Sequence, residues 1–145
     1  MNRMLTTSHF TRIFRVSAWY DIAVTWPYAT PFTLPLMHDV LNAVHGAAGW
    51  APIPEFSPFA TLFANFFGTV VLIWSVVRLH LNDPRLARYD ALGRFLFSSW
   101  MIYALSMGVS PIVWVFLVIE ISFGILQALP VRSTNSGASA AEETA

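Results

Sequence analysis

The 145-residue chain contains no cysteine and no lysine. Without cysteine there can be no structural disulfide, thiolate metal site or thiol nucleophile. All eight basic residues are therefore arginines. Charge of either sign is scarce, at 11% of residues against roughly 25% in an average soluble protein. With 56% hydrophobic residues, that scarcity points to lipid as the solvent. The formal net charge is zero, so no global field favours nucleic acid or an acidic partner. Gly-rich phosphate loops and the H-E-x-x-H and G-x-S-x-G signatures are also missing, and no internal repeat is visible. The length corresponds to one domain.

What is present is a series of apolar runs with defined starts. From Pro58 to Val77 there is no charge, and about 20 residues at about 1.5 Å rise each cross a hydrocarbon core of roughly 30 Å. Ser57 before Pro58 offers a side-chain cap, with a proline at the first helical position where its missing N–H costs nothing. The same pairing at Asp83-Pro84 and Ser110-Pro111 predicts two more helix starts. Helices are accordingly expected over about 58–79, 84–107 and 111–129, the last two joined by a tight hairpin at Gly108, Val109 and Ser110.

A first helix is expected over about 10–30. Pro27, Pro31 and Pro35 cannot lie inside it, because an internal proline costs about 3 kcal/mol. They read as its exit into the far interface, with Trp26, Tyr28 and Phe32 as an aromatic belt. Beyond them, Leu36, Val40, Leu41 and Val44 recur at helical spacing between His38, Asp39, Asn42 and His45. That pattern predicts a short amphipathic helix lying in the interface. Its polar face is expected to be exposed, His38 and His45 being too widely spaced for a metal site. Residues 131–145 are small, polar and acidic and are expected to form a disordered tail. Arg3, Arg12 and Arg15 before an apolar run resemble a secretory signal. Asp21 within that run, and the need for an even number of crossings, predict that the segment is retained.

Arginines fix the orientation. They occupy the N-terminus, the connection between the second and third long helices, and the C-terminal side, whereas 31–57 carries only Asp39 and Glu55. By the positive-inside rule both termini are cytoplasmic. The fold class predicted is an all-α, integral membrane four-helix up-down bundle comprising residues 1–130.

Ionisable residues within the spans carry the functional expectation. A charged side chain at a helix centre costs roughly 2.5–3.5 kcal/mol, so it must face the bundle interior or water. Asp21 and Glu120 lie near the middles of their helices. At about 1.5 Å per residue Asp21 sits roughly 12 Å deep, Arg94 roughly 8 Å and Glu120 roughly 15 Å. Arg94 is the basic residue placed deepest, which makes it the expected partner of one or both acids. One arginine facing two acids leaves one acid surplus, and burial favours a proton on it. Helical spacing extends this into polar stripes: Ser17, Asp21, Thr25 and Tyr28; Thr61, Asn65 and Thr69; Asp90, Arg94 and Ser98; Glu120 and Gln127. Most serines and threonines are read as helix-to-helix glue, with Gly68, Gly93 and Gly124 permitting close approach. Asp90 and Arg94, at i and i+4, are able to pair. The candidate binding residues are Asp21, Arg94, Glu120, Asn65 and Tyr28, with Asn65 the reserve partner for Asp21. No metal or cofactor is expected.

The stretch "DPRLARYDALGR" opening the third long helix and the hairpin "GVSPIVWVFLVIEISFGILQ" resemble small bacterial four-helix membrane proteins of the DoxX-like or BphX-like kind. The resemblance covers about residues 10–130 and is one of layout. It implies a multi-pass protein of the bacterial inner (plasma) membrane, surrounded by membrane lipids. Three functions compete: a non-enzymatic bundle binding a small apolar or protonatable ligand, or a proton; an accessory or assembly subunit of a larger respiratory or catabolic membrane complex; and a membrane enzyme acting on a lipid or quinone. Reporter fusions after Asn82 and Val131 should read cytoplasmic and one at Gly49 periplasmic; a cytoplasmic Gly49 would reverse the orientation.

Overall fold

The computed structural model describes residues 5–132. Five α-helices account for most of them: α1 (Thr7–Thr25), α2 (Leu34–Ala48), α3 (Pro58–Leu81), α4 (Pro84–Ser106) and α5 (Val113–Ala128). A two-residue strand, β1 (Leu5–Thr6), pairs in parallel with β2 (Val131–Arg132) and ties the beginning of α1 to the end of α5. Of the tail predicted over 131–145, Val131–Arg132 form β2 and the remainder lies outside the described residues.

Local chemistry sets the helix boundaries. Ser57 Oγ accepts from Ala60 N at 3.2 Å to open α3, and Asp83 accepts from Arg85 N at 2.8 Å to open α4. Between them Asn82 adopts the left-handed conformation (φ 47°) that ends α3, so the two helices meet in a turn of two residues. Ser110-Pro111 behaves differently from expectation. Ser110 Oγ accepts from Ile112 N at 3.2 Å, but Pro111 and Ile112 stay in the turn and α5 begins at Val113. Likewise α1 stops at Thr25, short of the predicted end near residue 30, and Pro27 sits in a 3₁₀ turn over Trp26–Ala29. Pro35 starts α2 instead of closing the first helix.

The long helices pack in the order α3, α1, α5, α4, while the α3 and α4 backbones stand apart beyond their shared turn. Close approach uses small residues. Ala18, Ala87 and Ala91 are buried, and a small apolar core of Phe10, Phe14 and Ala87 closes the end nearest β1. At the opposite end α3 receives the 3₁₀ turn directly. A Cβ on Gly68 would come within 2.5 Å of Ala29 N and Tyr28 C, so only glycine fits there. Asn65 Nδ2 donates to Tyr28 O at 2.8 Å, and Thr69 Oγ1 to Ala29 O at 3.5 Å, satisfying carbonyls that the turn leaves free.

α2 lies at this same end with His38, Asn42 and His45 turned to the protein and Asp39 exposed, correcting in part the expectation of an exposed polar face. His45 is buried, bonded through Nδ1 to Ala51 O (2.6 Å) and through Nε2 to Ser110 Oγ (2.6 Å). His38 and Asn42 hold Ile53 in the returning segment. The exposed stripe is instead apolar: Phe32, Leu36, Val40 and Val44.

Polarity is inverted over much of the described structure. Among the described residues, Ser17, Asp21, Ser75, Arg78, Asp90, Arg94 and Gln127 are buried, whereas Phe63, Phe66, Ile73, Trp100, Trp114 and Val118 are exposed. Among the described helices α3 alone is both long and apolar enough to cross a membrane, and most of its apolar surface faces outward.

Gly68→Ala should lower the unfolding temperature of the purified protein, at a cost of roughly 1–3 kcal/mol, because the clash is with backbone that cannot swing away. Gly93→Ala should be neutral or mildly stabilising, since a Cβ there meets nothing within 4 Å. Equal losses for the two would refute this account of the α3 contact.

Candidate functional site

A network of charges at the centre of the helices uses residues from all four of the long ones. Asp21 on α1 points toward α3 and α4 because its i−4 neighbour Ser17 and its i+4 neighbour Thr25 share the inward face of that helix. Its Oδ2 accepts from Arg78 Nη2 and, at 2.7 Å, from Arg94 Nη2. Arg94 also donates through Nη1 to Glu120 Oε2 on α5 at 2.9 Å, and through Nε to Asp90 Oδ2 at 3.1 Å. The i, i+4 pair of Asp90 and Arg94 thus forms as the sequence allows. Asp90 Oδ2 further accepts from Arg78 Nη1 at 2.5 Å, and its Oδ1 from Trp74 Nε1 at 2.8 Å.

Arg78 corrects the expectation that Arg94 alone serves the acids. In the sequence Arg78 stands near the end of a long apolar run, where an arginine ordinarily reaches outward. Here it is fully buried, its guanidinium 5.8 Å from the centre of the Phe14 ring and bonded to Ser17 and Ser75 as well as the two aspartates. A signal was available: Ser75 and Arg78, at i and i+3, place two polar groups on one face of α3. Two guanidiniums therefore face three carboxylates, and the surplus of one acid inferred for a simpler cluster persists in the larger one.

Of the other candidates, Asn65 is committed to the backbone of Tyr28 and is not a reserve partner for Asp21. Tyr28 does line the cavity described next. Gly124 lies where a Cβ would come within 3.2 Å of Phe95, which lets α4 approach α5, whereas Gly93 faces open space and is no packing contact.

That open space is a cavity of about 810 Å³ walled by all four long helices. Asp21, Asp90, Arg94 and Glu120 lie on its wall, and most of the remaining lining is aromatic or aliphatic. Its most exposed lining residues are Val70 on α3 and Tyr89 and Trp100 on α4, so the mouth lies in the gap between those two helices. Phe67 and Phe97 meet edge to face across that gap, with ring centres 5.9 Å apart. The charge network closes the cleft toward the α3–α4 turn. Within the network Asp90 has both oxygens occupied, while Asp21 Oδ1 and Glu120 Oε1 accept from no group among the described residues. Chemically the site offers an apolar chamber with acceptor oxygens, and one carboxylate in excess of the guanidiniums, on one side.

Arg78→Met should cost roughly 3–5 kcal/mol, since it strands two buried aspartates. Adding Asp21→Asn should recover much of the loss, because Arg94, Asp90 and Glu120 then retain the native surplus of one acid. Thermal unfolding of both variants checks this; a double variant no more stable than Arg78→Met would show that Arg78 does not pair with Asp21. Compared with known proteins, the chain matches no family model, no curated protein and no solved structure.

Proposed function

We propose that the chain is a multi-pass protein of the bacterial inner membrane. In this reading α1, α3, α4 and α5 form a four-helix up-down bundle with cytoplasmic ends, and α2 lies in the outer interface. Its role is to bind a small ligand, or a proton, in the cavity beside the Asp21–Arg94–Glu120 cluster. The observation that carries this is the inverted polarity: a soluble protein rarely exposes large contiguous apolar surface while burying this many charges. α1 and α4 are less apolar than α3 because they contribute Asp21, Asp90 and Arg94, and these point inward, where they do not meet lipid. The exposed stripe of α2 suits a helix whose polar side is held by the protein and whose apolar side rests in the acyl boundary. The layout keeps the DoxX-like resemblance as part of this proposal.

An 810 Å³ chamber falls within the roughly 300–1,000 Å³ typical of ligand pockets. A mouth between helices admits a molecule from the bilayer itself. The subunit reading draws support from one feature, a ladder of exposed rings on α3, with Phe59 and Phe63 centred 4.7 Å apart and Phe66 next to them. Extraction in mild detergent followed by native mass spectrometry separates the two. The binding reading predicts a monomer or dimer carrying a small molecule that Gly93→Leu, by filling the chamber, displaces. Recovery only with a stoichiometric large partner, and no small molecule, would favour the subunit.

A further inference from the structure

The cavity's chemistry selects among ligands. Granting the reading of the chamber as a ligand site, we propose that it takes a lipophilic organic monocation: an amine with an aromatic or aliphatic body whose ammonium group meets Asp21 Oδ1 and Glu120 Oε1.

Charge comes first. Arg78 and Arg94 compensate two of the three carboxylates, and no further cation lines the chamber. Arg85 and Arg88, the nearest other basic residues on α4, are exposed at its start. An anionic ligand would meet a site whose carboxylates already outnumber its guanidiniums, whereas a cation takes the place of the proton that burial otherwise favours on the surplus acid. A cation removes the mismatch. Hydrogen bonding comes second. Asp21 lines the chamber with 11% of its side chain accessible and with Oδ1 unpartnered among the described residues, and an ammonium N–H supplies a donor for it. The walls come third. Tyr20, Phe67, Trp74, Phe97, Trp100 and Phe116 line the space, and an aromatic lining favours a cation over a neutral head group of the same size. A hydrated metal ion is poorly suited to a mouth framed by Phe67 and Phe97, and the carboxylates are already engaged by guanidiniums; no group of side chains among the described residues is arranged to hold one.

A matched series isolates the head group: 4-phenylbutylamine, 4-phenylbutan-1-ol and 4-phenylbutanoate, each titrated into the purified protein while thermal unfolding is followed. The amine should stabilise at about tenfold lower concentration than the alcohol, and the carboxylate should have no effect. Glu120→Gln, whose amide oxygen can still accept from Arg94, should abolish the amine's advantage and leave the response to the alcohol. Asp21→Asn provides the same test if the first variant does not fold. Gly93→Leu should remove both responses. Equal responses to amine and alcohol in the native protein, or an advantage that survives in both carboxamide variants, would overturn the cation assignment while leaving the chamber a ligand site. No response to any of the three would remove the ligand-site reading itself.

Discussion

Two guanidinium groups shared among three carboxylates set the geometry of the whole molecule. Asp21, Arg78, Asp90 with Arg94, and Glu120 come one helix after another from α1, α3, α4 and α5, so no helix can slide or turn without parting an ion pair. Desolvated charges make such a network strict, because an unpartnered one costs several kcal/mol where a surface pair is worth less than about one. The small residues follow from it. Ala18, Ala87, Ala91 and Gly124 bring the helices near enough for short side chains such as aspartate to reach across. Gly68 then lets the 3₁₀ turn rest on α3, which fixes how far α1 extends past the network.

The cavity is the complement of this arrangement. α3 and α4 are pinned together at their common turn and again at Asp90, which takes bonds from both Trp74 and Arg78. Above that level no hydrogen bond among the described residues joins them, and Gly93 places no side chain in the space. Phe67 and Phe97 meet across the cleft there, rings that can rotate without breaking a hydrogen bond. The residues that hold the helices together also line the cavity: Asp21 gives one oxygen to Arg78 and Arg94, Glu120 gives one to Arg94, and the second oxygen of each has no partner among the described residues.

Much of this was legible in the residues, and the exceptions have physical causes. Asp21 and Glu120 stand out as charges within apolar runs, and Asp90 and Arg94 as a helical i, i+4 pair. Ser57 and Asp83 announce helix starts because a capping side chain acts within its own turn. Arg78 was harder, since an arginine at a helix end can reach lipid headgroups or fold back, and only tertiary partners decide which. Asn65 and Gly93 illustrate the same limit. Each lies at a helical spacing compatible with a polar or close-packed seam, yet the first serves the backbone of Tyr28 and the second faces open space. The inward polar side of α2 depended on Ala51, Ile53 and Ser110, which are distant enough in sequence that periodicity gives no hint of them.

The central claim is that a charged core is wrapped by surface that faces lipid, and a chain without cysteine permits a direct measurement. Ile73 and Val118 point outward from α3 and α5, close along those helices to Trp74 and Glu120. Single substitutions Ile73→Cys and Val118→Cys, with Asp39→Cys and Arg85→Cys as references, can be exposed in intact membranes to a membrane-impermeant maleimide. The account predicts that the first two stay unlabelled until the membrane is dissolved and the protein unfolded, while Asp39→Cys reacts from the outside and Arg85→Cys reacts once the inner face is opened. Labelling of Ile73→Cys and Val118→Cys at the rate of Asp39→Cys would place those surfaces in water and contradict it.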